Sequence, residues 1–334
     1  MRKLVTIVFV LSFIMLALTG CGRRADDGVF HVRAAVSNPP PHPYVTGIEF
    51  LAERLYERSE GRIRVDTFHS NQLGSERDIV EGIQFNTIQF GFITSAPLSG
   101  FTDAYMIFDL PFLFESVEEA RAFCDSEYGL AILASLENDG IIGLGFGENG
   151  MRHITNSRRP IQTPADLSGL VIRTMENPMH LAAFREMGAD PTPMAFGELF
   201  TALQQGAVDA QENPFVVINT SRFFEVQRYL SVTNHLYSPA PLLMSRTFYD
   251  SLPEDLQLIV REVGLEASHF QRRVVDEQQL AALAELEREG MVINFVDTAP
   301  FVAATQSVYD MFVGDLVTQA SFDAVMSFLE SYRR

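Results

Sequence analysis

Lysine is almost absent from this chain of 334 residues, because Lys3 is the only one. Nearly every basic group is therefore an arginine guanidinium. This excludes enzyme classes that form a Schiff base through a lysine amine. A guanidinium instead suits bidentate pairing with a carboxylate.

Basic residues are also few in total, with 25 Lys and Arg against 43 Asp and Glu and a formal net charge of -18. A field of that sign repels nucleic acid backbones and anionic lipid surfaces, so neither is expected as a partner. Proteins, cations and small molecules are the expected partners. The 47% hydrophobic content is that of a globular protein, and the length predicts about two domains.

Long apolar runs are limited to one, Leu4 to Leu18, which follows Arg2 and Lys3. Fifteen helical residues cover about 22 Å of a bilayer core about 30 Å thick, so the run predicts an export signal rather than a membrane span. An ordinary signal peptide and a lipoprotein signal are both compatible with this pattern.

Cysteine occurs only at positions 21 and 124. The run Leu18-Thr19-Gly20-Cys21 resembles the lipobox of bacterial lipoproteins. This implies that residues 1–20 are a signal peptide, that Cys21 is acylated and anchors the protein to a membrane, and that residues 21–28 form a tether. Cys124 is then the only thiol left for the fold, which excludes an intrachain disulfide.

Strand and helix patterns alternate along the rest of the chain, which predicts an α/β fold with a mainly parallel sheet. Residues 30–36 and 141–146 have strand patterns, and residues 44–60 and 117–138 have helical ones. A further helical pattern over Leu256–Glu289 would extend about 50 Å, so it either kinks or crosses both domains.

Motifs for cofactors, metals and nucleophilic catalysis are not supported. Gly145 to Gly150 satisfies GxGxxG, but no helical pattern follows, as a dinucleotide site requires. The seven histidines lack metal-binding spacing, and neither a GxSxG elbow nor a Walker loop occurs. We expect no cofactor and no metal.

Three segments place polar or cationic groups at predicted strand ends or connections: Glu148–Arg152, Gly169–Thr174 and Val208–Pro214. Ligands of open α/β sheets bind at the carboxyl ends of strands. A single arginine there is usually a surface ion pair, but two arginines with an asparagine nearby could form a carboxylate clamp.

These segments resemble the solute-binding proteins of TRAP transporters, the tripartite ATP-independent periplasmic systems. The matching phrases are Asn149-Gly150-x-Arg152, Thr155-Asn156-Ser157-Arg158, Thr163-Pro164-Ala165-Asp166-Leu167, Ile172-Arg173, Met194-Ala195-Phe196-Gly197-Glu198, Asp209-Ala210-Gln211-Glu212-Asn213-Pro214, Ser70-Asn71-Gln72-Leu73-Gly74 and Asp109-Leu110-Pro111-Phe112. They are distributed over the whole chain after the export signal.

The resemblance implies a periplasmic receptor that delivers an organic acid to a membrane permease, and not an enzyme. Its fold would be two-domain, periplasmic-binding-protein-like, with a ligand cleft between the domains and a long helix spanning both. We expect residues 29–149 with 239–278 to form the first domain, and residues 150–238 with 279–334 to form the second.

The resemblance also implies site residues. Arg173 would form the salt bridge to the ligand carboxylate, with Arg152 and Asn213 beside it, while Phe196 would be an aromatic cleft residue or a core residue. Glu76 would be a polar contact from the first domain, and Thr94 would face the same cleft from a strand end. His42, in a proline-rich loop, and Glu148 are the remaining candidates; His42 could instead be a surface residue, and Glu148 could instead hold Arg152.

The wording of the motifs resembles binders of sugar acids such as uronates and diketogulonate. A hexuronate needs one arginine clamp and several acceptors for its hydroxyl groups. A C4-dicarboxylate would need a second cation, for which Arg77 is the candidate, although its position predicts the surface of a helix. A secreted hydrolase of acidic sugars is the alternative from another class.

Overall fold

The computed structural model describes residues 28–334, which form a nine-stranded mixed sheet with helices packed against it. The predicted signal peptide, Cys21 and all of the tether except Gly28 lie outside the described residues. Within residues 28–334, no helix combines the length and apolar character that crossing a bilayer requires.

The strands are β1 (Phe30–Ala35), β2 (Ile63–Phe68), β3 (Phe90–Phe92), β4 (Ile141–Asn156), β5 (Val171–Thr174), β6 (Asp190–Pro193), β7 (Ala210–Asn213), β8 (Tyr229–Ser245) and β9 (Val292–Phe295). Their order in the sheet is β2-β1-β3-β8-β4-β7-β5-β6, and β9 pairs with β8. We call β2-β1-β3 the first half of the sheet and β7-β5-β6 the second half. Each half of the sheet, with the helices packed against it, is a half of the molecule.

The prediction of a mainly parallel sheet is correct only for the outer pairs. Strand β1 is parallel to β2 and β3, β5 is parallel to β6 and β7, and β9 is parallel to β8. The central pairs β3–β8, β4–β8 and β4–β7 are antiparallel. Strands β4 and β8 are long enough to run through both halves, and they join them.

The α-helices are α1 (Pro43–Arg58), α2 (Glu76–Gln84), α3 (Ser95–Leu98), α4 (Val117–Cys124), α5 (Glu127–Ser135), α6 (Pro178–Glu186), α7 (Phe196–Gln205), α8 (Phe215–Thr220), α9 (Arg246–Ser251), α10 (Glu254–Arg288), α11 (Ala299–Ala304), α12 (Gln306–Phe312) and α13 (Gln319–Tyr332). The predicted helix over 117–138 is divided, because Ser126 caps a new helix, α5, after α4 ends.

Helix α10 is continuous over 35 residues and crosses both halves. Val260 and Val263 pack in the core formed with α1 and β1, while Ala282 and Leu286 pack in the core formed with α7 and α8. Gly264 lies so close to β4 that a Cβ atom there would be 2.7 Å from the Cβ atom of Leu144. Of the two alternatives for this pattern, crossing is therefore correct.

Helix α13 returns to the first half of the molecule. Val325 and Leu329 are buried in a cluster with Phe123 of α4 and Leu133 of α5. The predicted second domain included residues 279–334, so the last of these residues pack against elements of the predicted first domain. Helix α13 therefore supplies part of the hydrophobic core of the first half.

The chain passes between the halves of the sheet near Glu148 and Gly150. The register of β4 against β8 shifts there, and Gly150 has a φ of 117°, which favours glycine. The GxGxxG segment, Gly145 to Gly150, lies within β4, so the strand predicted over residues 141–146 extends through it, and no helix follows it directly.

Candidate ligand-binding site

A cleft with about 510 Å³ of space free of protein atoms, part of it open solvent, lies where the two halves of the sheet meet. Six of the eight predicted ligand-binding residues line it: Glu76, Thr94, Arg152, Arg173, Phe196 and Asn213. Its wall combines segments from β4, β5, β7, α2 and α7 and the residues around α3. Neither half of the molecule forms it alone.

Arg173 is a buried cation in the cavity wall. It lies on β5, is 2% accessible to solvent, and donates from Nε and Nη2 to the carbonyl oxygen of Met194 at 2.9 and 2.7 Å. Its Nη1 has no hydrogen-bond partner among the described residues. Burial lowers the pKa of Arg173 to about 10, so it is charged at neutral pH.

Arg152 is paired within the protein. It is fully buried on β4, and its guanidinium forms a two-pronged ion pair with Glu212 of β7, in which Nη2 is 2.8 Å from Oε1. Nη2 also donates to Oδ1 of Asn213 at 3.1 Å. Burial opposes the ionisation of Glu212, but Arg152 outweighs it and holds the pKa of that carboxyl well below its ordinary value.

The two arginines therefore differ in what they offer to a ligand. The charge of Arg152 is neutralised by Glu212, although Nη1 of Arg152 is buried without a hydrogen-bond partner among the described residues. Arg173 forms no ion pair among those residues. The cavity thus carries two unsatisfied guanidinium donors, and the charge of Arg173 has no carboxylate within ion-pair distance among the described residues.

The opposite wall carries a hydrogen-bond acceptor. Ser75 caps α2 and places Glu76 at its first position, where Oε1 accepts hydrogen bonds from the backbone nitrogen and Oγ1 of Thr94 at 2.9 and 2.8 Å. Burial raises the pKa of Glu76 against those hydrogen bonds.

Phe196 begins α7 and forms part of the apolar wall together with Met175 and Met194. Its ring meets that of Phe223 edge-on, with centroids 6.1 Å apart. Phe196 therefore lines the cavity and also packs on the core of the second half. It combines the two alternatives predicted for it, a cleft residue and a core residue.

His42 and Glu148 do not line the cavity. His42 caps α1, where Nδ1 accepts a hydrogen bond from the backbone of Tyr44, and burial lowers its pKa to about 3. Glu148 is fully buried and accepts hydrogen bonds from Arg121 and from the hydroxyl of Tyr237. The suggestion that Glu148 holds Arg152 is wrong, because Glu212 does so.

Several cavity residues were not predicted: Ser37, Asn38, Ser75, Asn149, Met175 and Glu176. For these six residues the one sequence signal is the motif Asn149-Gly150-x-Arg152, which contains Asn149. Arg77 also lines the cavity, although its side chain is 60% exposed and pairs with Glu81 at 3.1 Å. Among residues 28–334, no group of three metal-ligating side chains comes together.

Residues 34–315 match the model of a protein family described as bacterial extracellular solute-binding protein, family 7, or DctP. The chain belongs to this family. It is accordingly an extracytoplasmic solute-binding protein of the TRAP type and not an enzyme, so the hydrolase alternative is wrong.

Individual relatives agree in sequence and in fold. The chain is 38% identical over 264 residues to the 2,3-diketo-L-gulonate-binding periplasmic protein YiaO of Escherichia coli. The matched region covers 78% of this chain and 80% of that protein. A solved TRAP solute-binding protein from Polaromonas, bound to D-erythronate, is 35% identical with a TM-score of 0.86, covering 90% of this chain and 98% of that one.

A second solved relative, from Sulfitobacter with bound β-D-galacturonate, is 31% identical with a TM-score of 0.86, covering 90% of this chain and all of that one. These agreements confirm the predicted two-domain α/β fold. The exact domain boundaries stay a prediction.

Proposed function

We propose that this solute-binding protein captures a sugar acid, a hexuronate such as glucuronate or galacturonate, and delivers it to a TRAP membrane permease. The observation that carries the proposal is Arg173, a buried guanidinium in the cavity wall that has neither a carboxylate partner nor an acceptor for Nη1 among residues 28–334. A ligand carboxylate would supply both the missing charge and the missing acceptor.

The rest of the cavity suits the hydroxyl groups of a sugar acid. In this proposal Arg152 and Asn213 lie beside the carboxylate, and Glu76 and Thr94 face the hydroxyl end. Phe196 supplies an apolar wall for the ring. The ligands named for the relatives, diketogulonate, erythronate and galacturonate, are all hydroxylated acids, which supports this class.

A C4-dicarboxylate is the second candidate. Arg77 lines the cavity and could meet a second carboxylate at the far end. Against this, Glu81 already pairs with Arg77, and the exposure of that side chain weakens any ion pair it forms. We therefore favour the sugar acid.

Thermal unfolding of residues 26–334, which include every described element, tests both candidates against uronates, aldonates, diketogulonate and C4-dicarboxylates. A ligand at 100 times its Kd adds about 2.7 kcal/mol of stability, which shifts Tm by several degrees. A shift with uronates or their close relatives supports the proposal. A shift with dicarboxylates alone replaces the ligand, and no shift with any acid contradicts the proposal.

The role of Arg173 is tested by Arg173→Ala and Arg173→Lys. Loss of a buried, charge-assisted contact should weaken binding by about 2–5 kcal/mol for the alanine variant, and lysine should recover only part of it because it lacks the planar fork. Arg158→Ala is the matched control, since Arg158 is an exposed arginine paired with Asp209 outside the cavity. Unchanged affinity in Arg173→Ala would refute the clamp.

The proposal includes a lipid anchor at Cys21, which keeps the receptor at the membrane that holds the permease. Cys21→Ser should move the protein from the membrane fraction to the soluble extracytoplasmic fraction. Recovery of both proteins in the same fraction would contradict the anchor and leave the ligand assignment standing.

A further inference from the structure

Asp109 is a buried carboxylate that the proposed ligand site does not use. It ends a 3-10 helix over Asp103–Asp109 and begins the Asp109-Leu110-Pro111-Phe112 motif, and it is 1% accessible to solvent. Its Oδ2 accepts a hydrogen bond from Nδ2 of Asn177 at 2.7 Å, and its Oδ1 lies 2.9 Å from Nε2 of His180.

Both partners of Asp109 belong to the start of helix α6, which follows strand β5. Asn177 caps that helix, because its Oδ1 accepts hydrogen bonds from the backbone nitrogens of Met179 and His180. The carboxylate of Asp109 therefore faces the positive end of a helix dipole. Among residues 28–334 Asp109 has no arginine partner, so these groups stabilise its charge.

The same hydrogen-bonded group lies directly behind the cavity wall. Nδ2 of Asn177 is also 3.1 Å from Oγ of Ser99 and 3.3 Å from the carbonyl oxygen of Ala96, in the segment that follows Thr94. On one side of the group, Thr94 and Pro97 line the cavity. On the other side, Met175 and Glu176 line it, immediately after Arg173.

We propose that Asp109 is a positioning residue for ligand binding, which acts through Asn177 to fix the distance between the Thr94–Pro97 wall and the Arg173–Glu176 wall. A ligand that contacts Arg173 on one wall and Glu76 or Thr94 on the other requires that distance to be correct. The inference rests on the proposed function only for the choice of ligand.

The pairing can be broken and rebuilt by exchanging the two side chains. Asn177→Asp still caps the helix, but a carboxylate replaces the Nδ2 donor that links Asp109 to Ser99 and Ala96, so the link between the walls is lost. In the double variant Asp109→Asn with Asn177→Asp, the amide of residue 109 donates to the new carboxylate, Oγ of Ser99 can donate to it as well, and the amide oxygen of residue 109 accepts from His180. Only the hydrogen bond to Ala96 is not rebuilt. Two buried carboxylates in contact repel or must share a proton, whereas the exchanged pair is again complementary.

Calorimetric titration of residues 26–334 with D-galacturonate measures the consequence. We expect Kd to rise at least tenfold in Asn177→Asp and to fall back by at least threefold from that value in the double variant. Ser231→Ala is the control for a merely structural role, since Ser231 forms buried hydrogen bonds with Ile161 and Asn294 away from the cavity. It should lower Tm and leave Kd unchanged.

Hydrogen exchange without ligand gives a second, independent measurement. Asn177→Asp should speed amide exchange in both segments 94–99 and 174–180, and the double variant should restore part of the protection in both. Equal affinity of Asn177→Asp and wild type, or equal weakness of the single and double variants, overturns the inference. If wild type binds no acid, the proposed function fails, and unchanged exchange in Asn177→Asp then overturns the positioning role separately.

Discussion

Glu212 shows how one residue fixes the chemistry of the cavity. Two buried arginines without any anion would repel each other, and the ion pair with Glu212 removes one of the two charges. Arg173, by contrast, forms no ion pair among residues 28–334, although Glu76 and Glu176 line the same cavity. A neutral residue at position 212 would alter both the stability of the fold and this charge balance.

Replacing Glu212 by glutamine should destabilise the protein by about 3–5 kcal/mol at pH 7, because Arg152 is left as an uncompensated buried charge. The free energy of unfolding in urea measures this change. Glu225→Gln is the control, since Glu225 forms an exposed pair with Arg222 and should contribute less than about 1 kcal/mol. Similar losses in the two variants would show that Arg152 is not dependent on Glu212.

The same variant predicts a pH dependence. The pKa of Glu212 is held below its ordinary value in the folded state, so its stabilisation is present above about pH 4.3 and is lost as the pH falls below it. The difference in stability between wild type and Glu212→Gln should therefore shrink by up to about 1.4 kcal/mol per pH unit below pH 4. A difference that stays constant from pH 7 to pH 3 would contradict the ion pair.

Helix α10 makes a prediction at the scale of an element. Glycine to alanine in a helix interior ordinarily stabilises by about 1 kcal/mol. At Gly264 the added Cβ would be 2.7 Å from Leu144 Cβ, and overpacking of this kind costs about 1–3 kcal/mol. Gly264→Ala should therefore lower the free energy of unfolding, while Leu280→Ala on an 80% exposed position of the same helix should change it by less than about 0.5 kcal/mol.

The contact between α7 and the loop after β2 makes a second prediction of this kind. A Cβ at Gly197 would be 2.9 Å from Nδ2 of Asn71, beside Phe196 in the cavity wall. Gly197→Ala should raise the Kd for the ligand by no more than about threefold, because the added Cβ meets the end of the Asn71 side chain, which can rotate away at small cost.

Adding Asn71→Gly should restore the affinity, since it removes the opposing side chain and glycine readily adopts the φ of 57° at that position. If the double variant binds as weakly as Gly197→Ala, the clash with Asn71 is not the cause.

At the scale of the whole molecule, the α/β class and the long helix could be predicted from local patterns, but the centre of the sheet could not. Strand β8 contains Pro239 and Pro241, which usually exclude a central strand, and β4 contains glycines typical of a loop. Both strands form because each pairs along its length with the other, a tertiary interaction that no local pattern contains.

The candidate site shows the same division. An arginine at a strand end and an asparagine in a turn could be found from the sequence, and the structure brings both to one cavity. The partner of Arg152 could not be found, because it depends on the register in which β7 pairs with β4. Asp109 and Asn177 are 68 positions apart, and their contact likewise arises only in the assembled fold.

The position of β8 in the sheet has a consequence for synthesis. Strand β3 pairs with residues 242–244 of β8, so one edge of the first half stays unpaired until about 150 further residues have been made. At ribosomal rates of about 5–20 residues per second this takes roughly 8–30 s. The nascent chain thus cannot complete its first half early. The first half can therefore fold completely only after most of the polypeptide has been synthesised. Such a delay is compatible with translocation of the chain in an unfolded state.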